Sequence, residues 1–367
     1  MNFVPKPIGA IIVHSATELP LHGGRAPRWL FHRMVKLSRA ISTVIIDEYG
    51  VDELLARMTD SNWFQALSCA IGYDWHSSGT TTVTMGALKE AMNESGEIFI
   101  AGGKGKAGLK TPQEIISGTD SLSIPGMDKS FTEYSRLSAK VDGGMVYENL
   151  GIYHHTFVFT KNRKWGVIQQ GMSSTSNKAI RFQWNSDLID QSDITNEPHA
   201  AVNSELRKMT VDLTYRENQW AKRASVELLS DYPRIAKAFE YPSRHWIHPQ
   251  VDIGKKGIEL IRMASDLNPS DYRELLLIKD VGRSTLRSLA FVSSLIFEKE
   301  LAQRDPVAYA YNLGGKDKIP FEINRKTYDS VIDSMNEIID RARMEKEEKY
   351  KALKRLSAAV TSSAIIQ

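Results

Sequence analysis

The stretch from Ile152 to Met172 constrains the chain more than any other. A run rich in β-branched and aromatic residues, Ile152-Tyr153-His154-His155-Thr156-Phe157-Val158-Phe159-Thr160, is followed by a short basic loop, Lys161 to Lys164, and by a second apolar arm from Trp165 to Gly171. That is the pattern of a β-hairpin. Successive strand residues point to opposite faces, so His154 and His155 occupy different environments. A turn at Asn162 and Arg163 sets Thr156 opposite Gln169 and His155 opposite Gln170. His154 then shares a face with Ile152, Thr156, Val158 and Gln169, and His155 with Tyr153, Phe157 and Phe159. An imidazole on a packed face needs a polar partner, which Gln170 can provide.

The length, 367 residues, suggests two domains, and the composition is that of a soluble globular protein. Forty-seven basic and 44 acidic residues leave a net charge of +3, so a nucleic-acid or phosphate partner has to be argued from local patches. The single cysteine, Cys69, excludes an intramolecular disulfide framework, and the N-terminus shows neither a charged-then-apolar leader nor a membrane-length apolar run. A cytoplasmic protein that does not engage membranes is expected. Cys69 stands among Phe64, Leu67, Ala70 and Ile71, which makes it a packing residue.

Ahead of the hairpin the sequence predicts an α/β N-terminal domain over residues 1–190, with a mixed sheet. Residues 8–14 suit a short strand, and Leu21 to Pro27 a glycine loop in which Arg25 can face a phosphate. A helix follows from about Arg28 to Tyr49, apolar on one side (Leu30, Met34, Leu37, Ile41) and basic on the other (Arg28, His32, Arg33, Lys36, Arg39). A strand ending near Ile71, a polar loop with Asp74, His76, Ser77 and Ser78, a helix over Met85 to Met92 and a strand over Glu97 to Ala101 read as a βαβ-type unit. The unit ends in Gly102-Gly103-Lys104-Gly105-Lys106, ahead of Thr111-Pro112-Gln113-Glu114, which has the form of a capped helix start. Glycines, lysines and a helix N-terminus together make an anion cradle. The loop lacks the Gly-Lys-Ser/Thr of a nucleotide-hydrolysing P-loop.

Asp74 and His76 can bind a metal or orient a general base, so a divalent ion is an open cofactor, although no His-Glu-x-x-His and no paired cysteines occur. His245, His248 and Asp252 form a weaker ligand set. After the hairpin, Asn177 to Trp184 alternates cations and aromatics, suiting a sheet edge or a nucleic-acid surface. The polar stretch Asn185 to Asn203 marks the boundary to a mainly helical C-terminal domain over residues 200–367. Gly314 to Lys318 reads as a surface turn. Tyr328, Ile332, Met335, Ile339 and Ala342 form a packing stripe.

Asp271 to Ala290 resembles a helix-hairpin-helix. That motif implies backbone N–H groups and a helix N-terminus presented to a nucleic-acid phosphate, here from Val281, Gly282, Arg283, Thr285 and Arg287. Asp280 stands where the motif has its first hairpin glycine. His22 to Pro27, Asp74 to Gly79, Gly102 to Gly105, Tyr153 to His155 with Gln169-Gln170-Gly171, and Gly314 to Asp317 together resemble the domain of unknown function 763 family of archaea and some bacteria. That family brings no established activity. The order of strand, turn, returning strand and Gly171-Met172-Ser173 is also similar to one half of a phospholipase-D-like phosphodiesterase. This similarity implies His155 as nucleophile, with Phe157 in the position of a lysine and Lys104 or Lys106 supplying the charge.

The expected function is a phosphodiesterase acting on nucleic acid, a nuclease on DNA, using His155, His154, His76, Asp74, Lys104 and Gln170. Arg25, Ser77, Ser78, Gly102, Gly103 and Lys106 bind phosphate, and the helical domain grips the backbone. The alternatives are a non-enzymatic DNA- or RNA-binding protein and an enzyme of small phosphate esters. A homo-oligomer remains open.

Overall fold

Three residues, Lys161, Asn162 and Arg163, set the register of the central hairpin in the computed structural model. Thr160 N–H donates to Lys164 O and Arg163 N–H to Thr160 O, both at 2.9 Å, and Arg163 adopts a φ of 66°. A turn closed by a left-handed residue is the usual three-residue hairpin. It slips the arms by one position from the expected pairing, so His154 faces Gln170, His155 faces Gln169 and Thr156 faces Ile168. A bulge at Tyr153 breaks the alternation beyond His154 and sends Ile152 to the face of Phe157. His154 therefore keeps Thr156 and Val158 but gains Gln170 in place of Gln169.

The structure describes residues 27–72, 79–173, 179–190, 192–203, 209–240, 255–307, 333–335, 337–342 and 345–364. Five strands, β1 (Ile98–Lys104), β2 (Leu150–Thr160), β3 (Trp165–Ser173), β4 (Ala179–Asn185) and β5 (His199–Asn203), pair in chain order as one antiparallel meander. The expected mixed sheet with a βαβ unit is corrected on this point. The apolar run ending at Ile71 is a helix, and β1 pairs antiparallel with β2. Asp60 starts that helix by accepting a hydrogen bond from Trp63 N–H at 2.8 Å. A short run that is apolar all round is ambiguous between a buried helix and a buried strand.

Four helices, α1 (Arg28–Tyr49), α2 (Val51–Thr59), α3 (Ser61–Ile71) and α4 (Gly79–Met92), cover one face of the sheet, over Ile98, Ile100, Val158 and Ile168. Met335 and Ile339, from the expected C-terminal packing stripe, join this layer together with Ile338. The other face, carrying Phe157, Phe159, Val167, Phe182 and Trp184, is covered by α5 (Thr111–Ser121), α6 (Asp128–Val141), α7 (Gln219–Leu229), α8 (Tyr232–Glu240), α9 (Lys255–Leu267), α10 (Tyr272–Leu277) and α11 (Arg283–Ile296). One cluster of buried apolar side chains thus joins the sheet to the helical second half. The stretch read as a domain boundary contains β5, and β4, expected at an edge or a surface, is interior and buried along its length. A further helix, α12 (Lys346–Ala364), holds α3 through Arg355 Nη2, 2.6 Å from Ala70 O.

Gly102 carries the tightest contact in this arrangement. Its φ is 93°, and a methyl group there meets His155 O at 2.3 Å and Thr111 Oγ1 at 2.5 Å. Strand β1 and helix α5 approach each other only because that position has no side chain. Gly102→Ala is expected to lower unfolding free energy by about 2–3 kcal/mol, from strain and overpacking together. Urea denaturation measures it, and an unchanged midpoint contradicts the close approach.

Candidate functional site

The register draws two polar rows across the sheet, one on each face. Toward α1–α4, Lys104, His154, Gln170, Arg181 and Asn203 lie in pairing register, one from each strand. Toward α6, His155 and Gln169 pair between Gly103 and Phe182. Both faces are covered, so each buried polar group in either row needs a partner from the protein, from water or from a ligand.

On the α6 face that requirement is met. Gln169 Nε2 donates to Ser138 O at 3.0 Å and, in a short contact, to Asp142 Oδ2. Its Oε1 is thereby turned toward His155 Nδ1, 2.7 Å away, so the Nδ1 proton belongs to this bond. The remaining nitrogen, Nε2, accepts from the Ser135 hydroxyl at 2.8 Å. Asp142 is fully buried. It takes two further donors, Trp184 Nε1 at 2.9 Å and His199 Nε2 at 2.6 Å. Burial holds the His155 pKa below the usual imidazole value against the opposing pull of the Gln169 bond and the Asp142 charge, so the ring is neutral.

On the opposite face His154 is 1 % exposed, and neither ring nitrogen has a hydrogen-bond partner among the described residues. Burial first of all, then the cost of charging it beside His155 and the positive fields of Lys104 and Lys89, push its pKa down to about 3. A neutral imidazole whose two nitrogens both lack a protein partner is costly in a core. Around it in the row stand Gln170, Lys104, which is exposed, and Arg181, which is fully buried with its guanidinium 4.5 Å from the Phe64 ring and Nη1 3.5 Å from Gln65 Oε1. At the far end Asn203 Nδ2 donates to Gln183 Oε1 at 2.9 Å, and Ser61 donates to Asn203 Oδ1 at 2.5 Å.

Lys104 pairs with His154, not His155, so it supplies charge to the face away from the nucleophile implied by phospholipase-D-like similarity. The glycine-lysine cradle is also altered by the fold. Glu114, expected to cap its own helix, instead accepts Gly102 N–H at 2.7 Å and the Lys89 ammonium at 2.5 Å, while Lys89 also holds Gly102 O at 2.8 Å. The Gly102 N–H thus already holds an internal carboxylate. Thr111 Oγ1 donates to Gly108 O at 2.7 Å, which fixes the 3-10 turn Gly105–Lys110 in place of a cap; Lys106 in that turn is exposed.

Helices α10 and α11, joined by a short loop, dock on the rest of the protein through their own cations. Arg287 is buried, with Nη2 2.8 Å from Val211 O and Nη1 3.3 Å from Met145 O, and Arg283 Nη1 reaches Leu150 O at 2.9 Å. Val281 and Thr285 face inward, and Lys140 Nζ accepts nothing but donates to Ile278 O and Val281 O at 2.8 and 2.7 Å. Lys279, Asp280 and Ser284 are exposed at the bend, where Gly282 gives α11 no side-chain cap. Arg25, Asp74, His76, Ser77, Ser78, the His245–Asp252 group, the strand over 8–14 and Gly314 to Lys318 lie outside the described residues. Among the described residues, no group of three or more His, Cys, Asp or Glu side chains could hold a metal ion, and no helix is long and apolar enough to cross a membrane.

Sequence reading missed Ser135 and Asp142, on the helix and turn ahead of the hairpin, and His199, on β5. The one local signal was Asp142-Gly143-Gly144 at the end of an amphipathic helix, where the chain forms a π-helical turn over Asp142–Val146.

The two histidines are expected to respond oppositely to mutation. His155→Ala leaves the Ser135 hydroxyl and the Gln169 Oε1 without their His155 partner and costs about 2–4 kcal/mol, whereas His154→Met removes unpartnered polar atoms and stays within about 1 kcal/mol of the parent. The His154 pKa lies near 3 when folded, against an ordinary 6.5, so below pH 6.5 the unfolded chain takes up the proton first. Its contribution is complete above that pH and falls by about 1.4 kcal/mol per pH unit toward pH 3. Urea denaturation across pH 7 to 4 should show a shallower decline for His154→Met; a slope equal to the parent's contradicts the neutral buried ring.

No curated protein and no solved structure matches the chain. Its sequence matches one family across residues 15–323, in agreement with the pattern of glycine loops, paired histidines and paired glutamines. The chain belongs to the family described as "Protein of unknown function (DUF763)".

Proposed function

We propose that the protein is a nucleic-acid phosphodiesterase, a nuclease acting on DNA, with His154 as the nucleophile and the Lys104–His154–Gln170–Arg181 row as the phosphate site. One observation carries the reading: His154 is buried and neutral, with both ring nitrogens unpartnered, in a row flanked by cations. The neighbouring positive charges disfavour a proton on the ring and favour an anion beside it. A phosphodiester is such an anion. Its approach offsets the field that lowered the pKa of the ring.

In the proposed reaction one His154 nitrogen bonds phosphorus while the bond to one ester oxygen breaks, and that oxygen leaves with the electron pair and takes a proton from water. A second water then attacks phosphorus, gives its proton to the hydroxide left by the first, and breaks the phosphorus–nitrogen bond to release the phosphate monoester and the free ring. Lys104 and Arg181 stabilise the charge gathering on the non-bridging oxygens, and the Gln170 amide orients the group. His155, locked between Ser135 and Gln169, serves as a positioning residue in this scheme. The substrate reaches His154 only when the helical layer over the row yields, so opening is a candidate slow step. The bend between α10 and α11 contributes a backbone grip through Lys279, Ser284 and the uncapped start of α11, in place of Arg283 and Arg287.

The test incubates labelled single-stranded, duplex and forked DNA, and the matching RNA, with the purified protein in the presence and absence of divalent ions. Cleavage that survives chelation, falls at least about a hundredfold in His154→Ala and falls less in Lys104→Ala is the expected result. Binding without cleavage under every condition overturns the proposal, as does wild-type cleavage by His154→Ala.

A further inference from the structure

Helix α1 carries a surface that the phosphodiesterase site does not use. Arg28, Trp29, His32, Arg33 and Lys36 are all exposed, and their helical spacing places them along one side. Met34, Leu37, Ile41 and Ile45 fill the other side and are buried. No carboxylate occurs in the helix before Asp47. A protein with a net charge of only +3 has therefore concentrated positive charge on one helix face.

Trp29 gives that face a second property. Its side chain is 62 % exposed, the large indole standing in water with the Arg33 guanidinium 5.5 Å from the ring centroid. An isolated aromatic face bordered by cations is the arrangement that stacks an unpaired base while the cations meet the flanking phosphates. A membrane-binding helix needs a continuous apolar strip to insert, and here Trp29 is surrounded by charged residues while the apolar strip is spent on the core.

The position of the stripe suits the same role. Leu30 lies beside Gly72, the cap of α3, and the Phe31 ring lies 3.5 Å from where a methyl on Gly86 of α4 would stand. Farther along α4, Lys89 holds Gly102 O, two residues before Lys104. The first turns of α1 therefore stand at the end of the sheet that carries the His154 row. Glu347 of α12 is an acidic neighbour of the stripe, its carboxyl held below the usual range chiefly by Lys351 and to a lesser extent by Arg33.

We propose that the exposed face of α1 binds single-stranded nucleic acid, with Trp29 stacking on a base and Arg28, Arg33 and Lys36 on adjacent phosphates. This rests on the reading that the substrate is nucleic acid, and it names the form of that substrate as unpaired at the point of contact.

The experiment measures fluorescence anisotropy of a labelled oligothymidylate, and of a blunt duplex of equal length, with the full chain across a salt series in chelator. Trp29→Ala is expected to weaken binding of the single strand about tenfold, Trp29→Phe to retain most of it, and duplex binding to change little in either. Arg33→Ala and Lys36→Ala should each lower the slope of log affinity against log salt by about 0.7 for the single strand. Unchanged affinity and slope in all these variants overturn the inference, as does a loss in Trp29→Ala that is equal for duplex and single strand. Trp29-dependent binding to anionic lipid vesicles, with no response to the oligonucleotide, overturns it in favour of a membrane surface. The two proposals separate cleanly: if His154→Ala cleaves normally while Trp29→Ala loses the single strand, the catalytic assignment fails and this surface stands.

Discussion

Which face of the sheet each side chain reaches is fixed by the three-residue turn between β2 and β3, and most of the site depends on that choice. Strand residues alternate with a period of two, so a single-residue slip changes the partner of every polar group in the hairpin. Arg163, in a left-handed conformation, closes the turn and brings Gln169 to His155 and Gln170 to His154. The amide of Gln169 is oriented by Asp142 and Ser138, which gives His155 a fixed tautomer and a complete set of partners. His154, its neighbour in sequence, passes to the other face and gains no such set. The contrast between a structural and an idle histidine arises from backbone geometry, not from residue type.

Asp142 is the second constraint. A carboxylate removed from water persists only when its oxygens are filled with donors, and Gln169, Trp184 and His199 fill them from three different strands. The carboxylate is delivered by a π-helical turn at the end of α6. The same turn carries Gly144, where a methyl group would stand 3.2 Å from Leu286 and 3.3 Å from the Arg283 Cα. It therefore both terminates the polar network and admits α11 to the core. Arg287 and Lys140 reinforce that junction by donating to backbone carbonyls, Arg287 to Met145 O in the turn and to Val211 O, Lys140 to Ile278 O and Val281 O in the bend.

The hairpin, helix α1 with its two faces, strand β1 and the helical second half were legible because each rests on local periodicity. The end of α3 was not, since Phe64–Ile71 is buried on every side and presents no exposed charged face to reveal its period. The register was missed because a two-residue and a three-residue turn are compatible with the same loop letters, and only the backbone of Arg163 decides between them. Ser135, Asp142 and His199 were not legible in principle. Their partnership with His155 and Gln169 is a contact between elements, and nothing in a single chain's local pattern specifies it. The arginines of the α10–α11 segment illustrate the reverse case: their spacing on a helix was plain, but whether they face solvent depends on which side the rest of the protein covers.

The glycine-lysine loop shows why charge on paper differs from charge at a site. Five residues, Gly102 to Lys106, together with Lys89, concentrate positive charge and flexible backbone, yet Glu114 takes both the Gly102 N–H and the Lys89 ammonium. A carboxylate and a phosphate oxygen compete for the same kind of donor, so the inner half of the cradle is neutralised by the protein itself. What remains exposed is Lys104 and Lys106 at the end of β1, and the pairing register sets Lys104 beside His154. The loop therefore cannot hold an anion by its inner backbone while Glu114 is in place. Its exposed charge stands instead at the strand end, in register with the His154 ring.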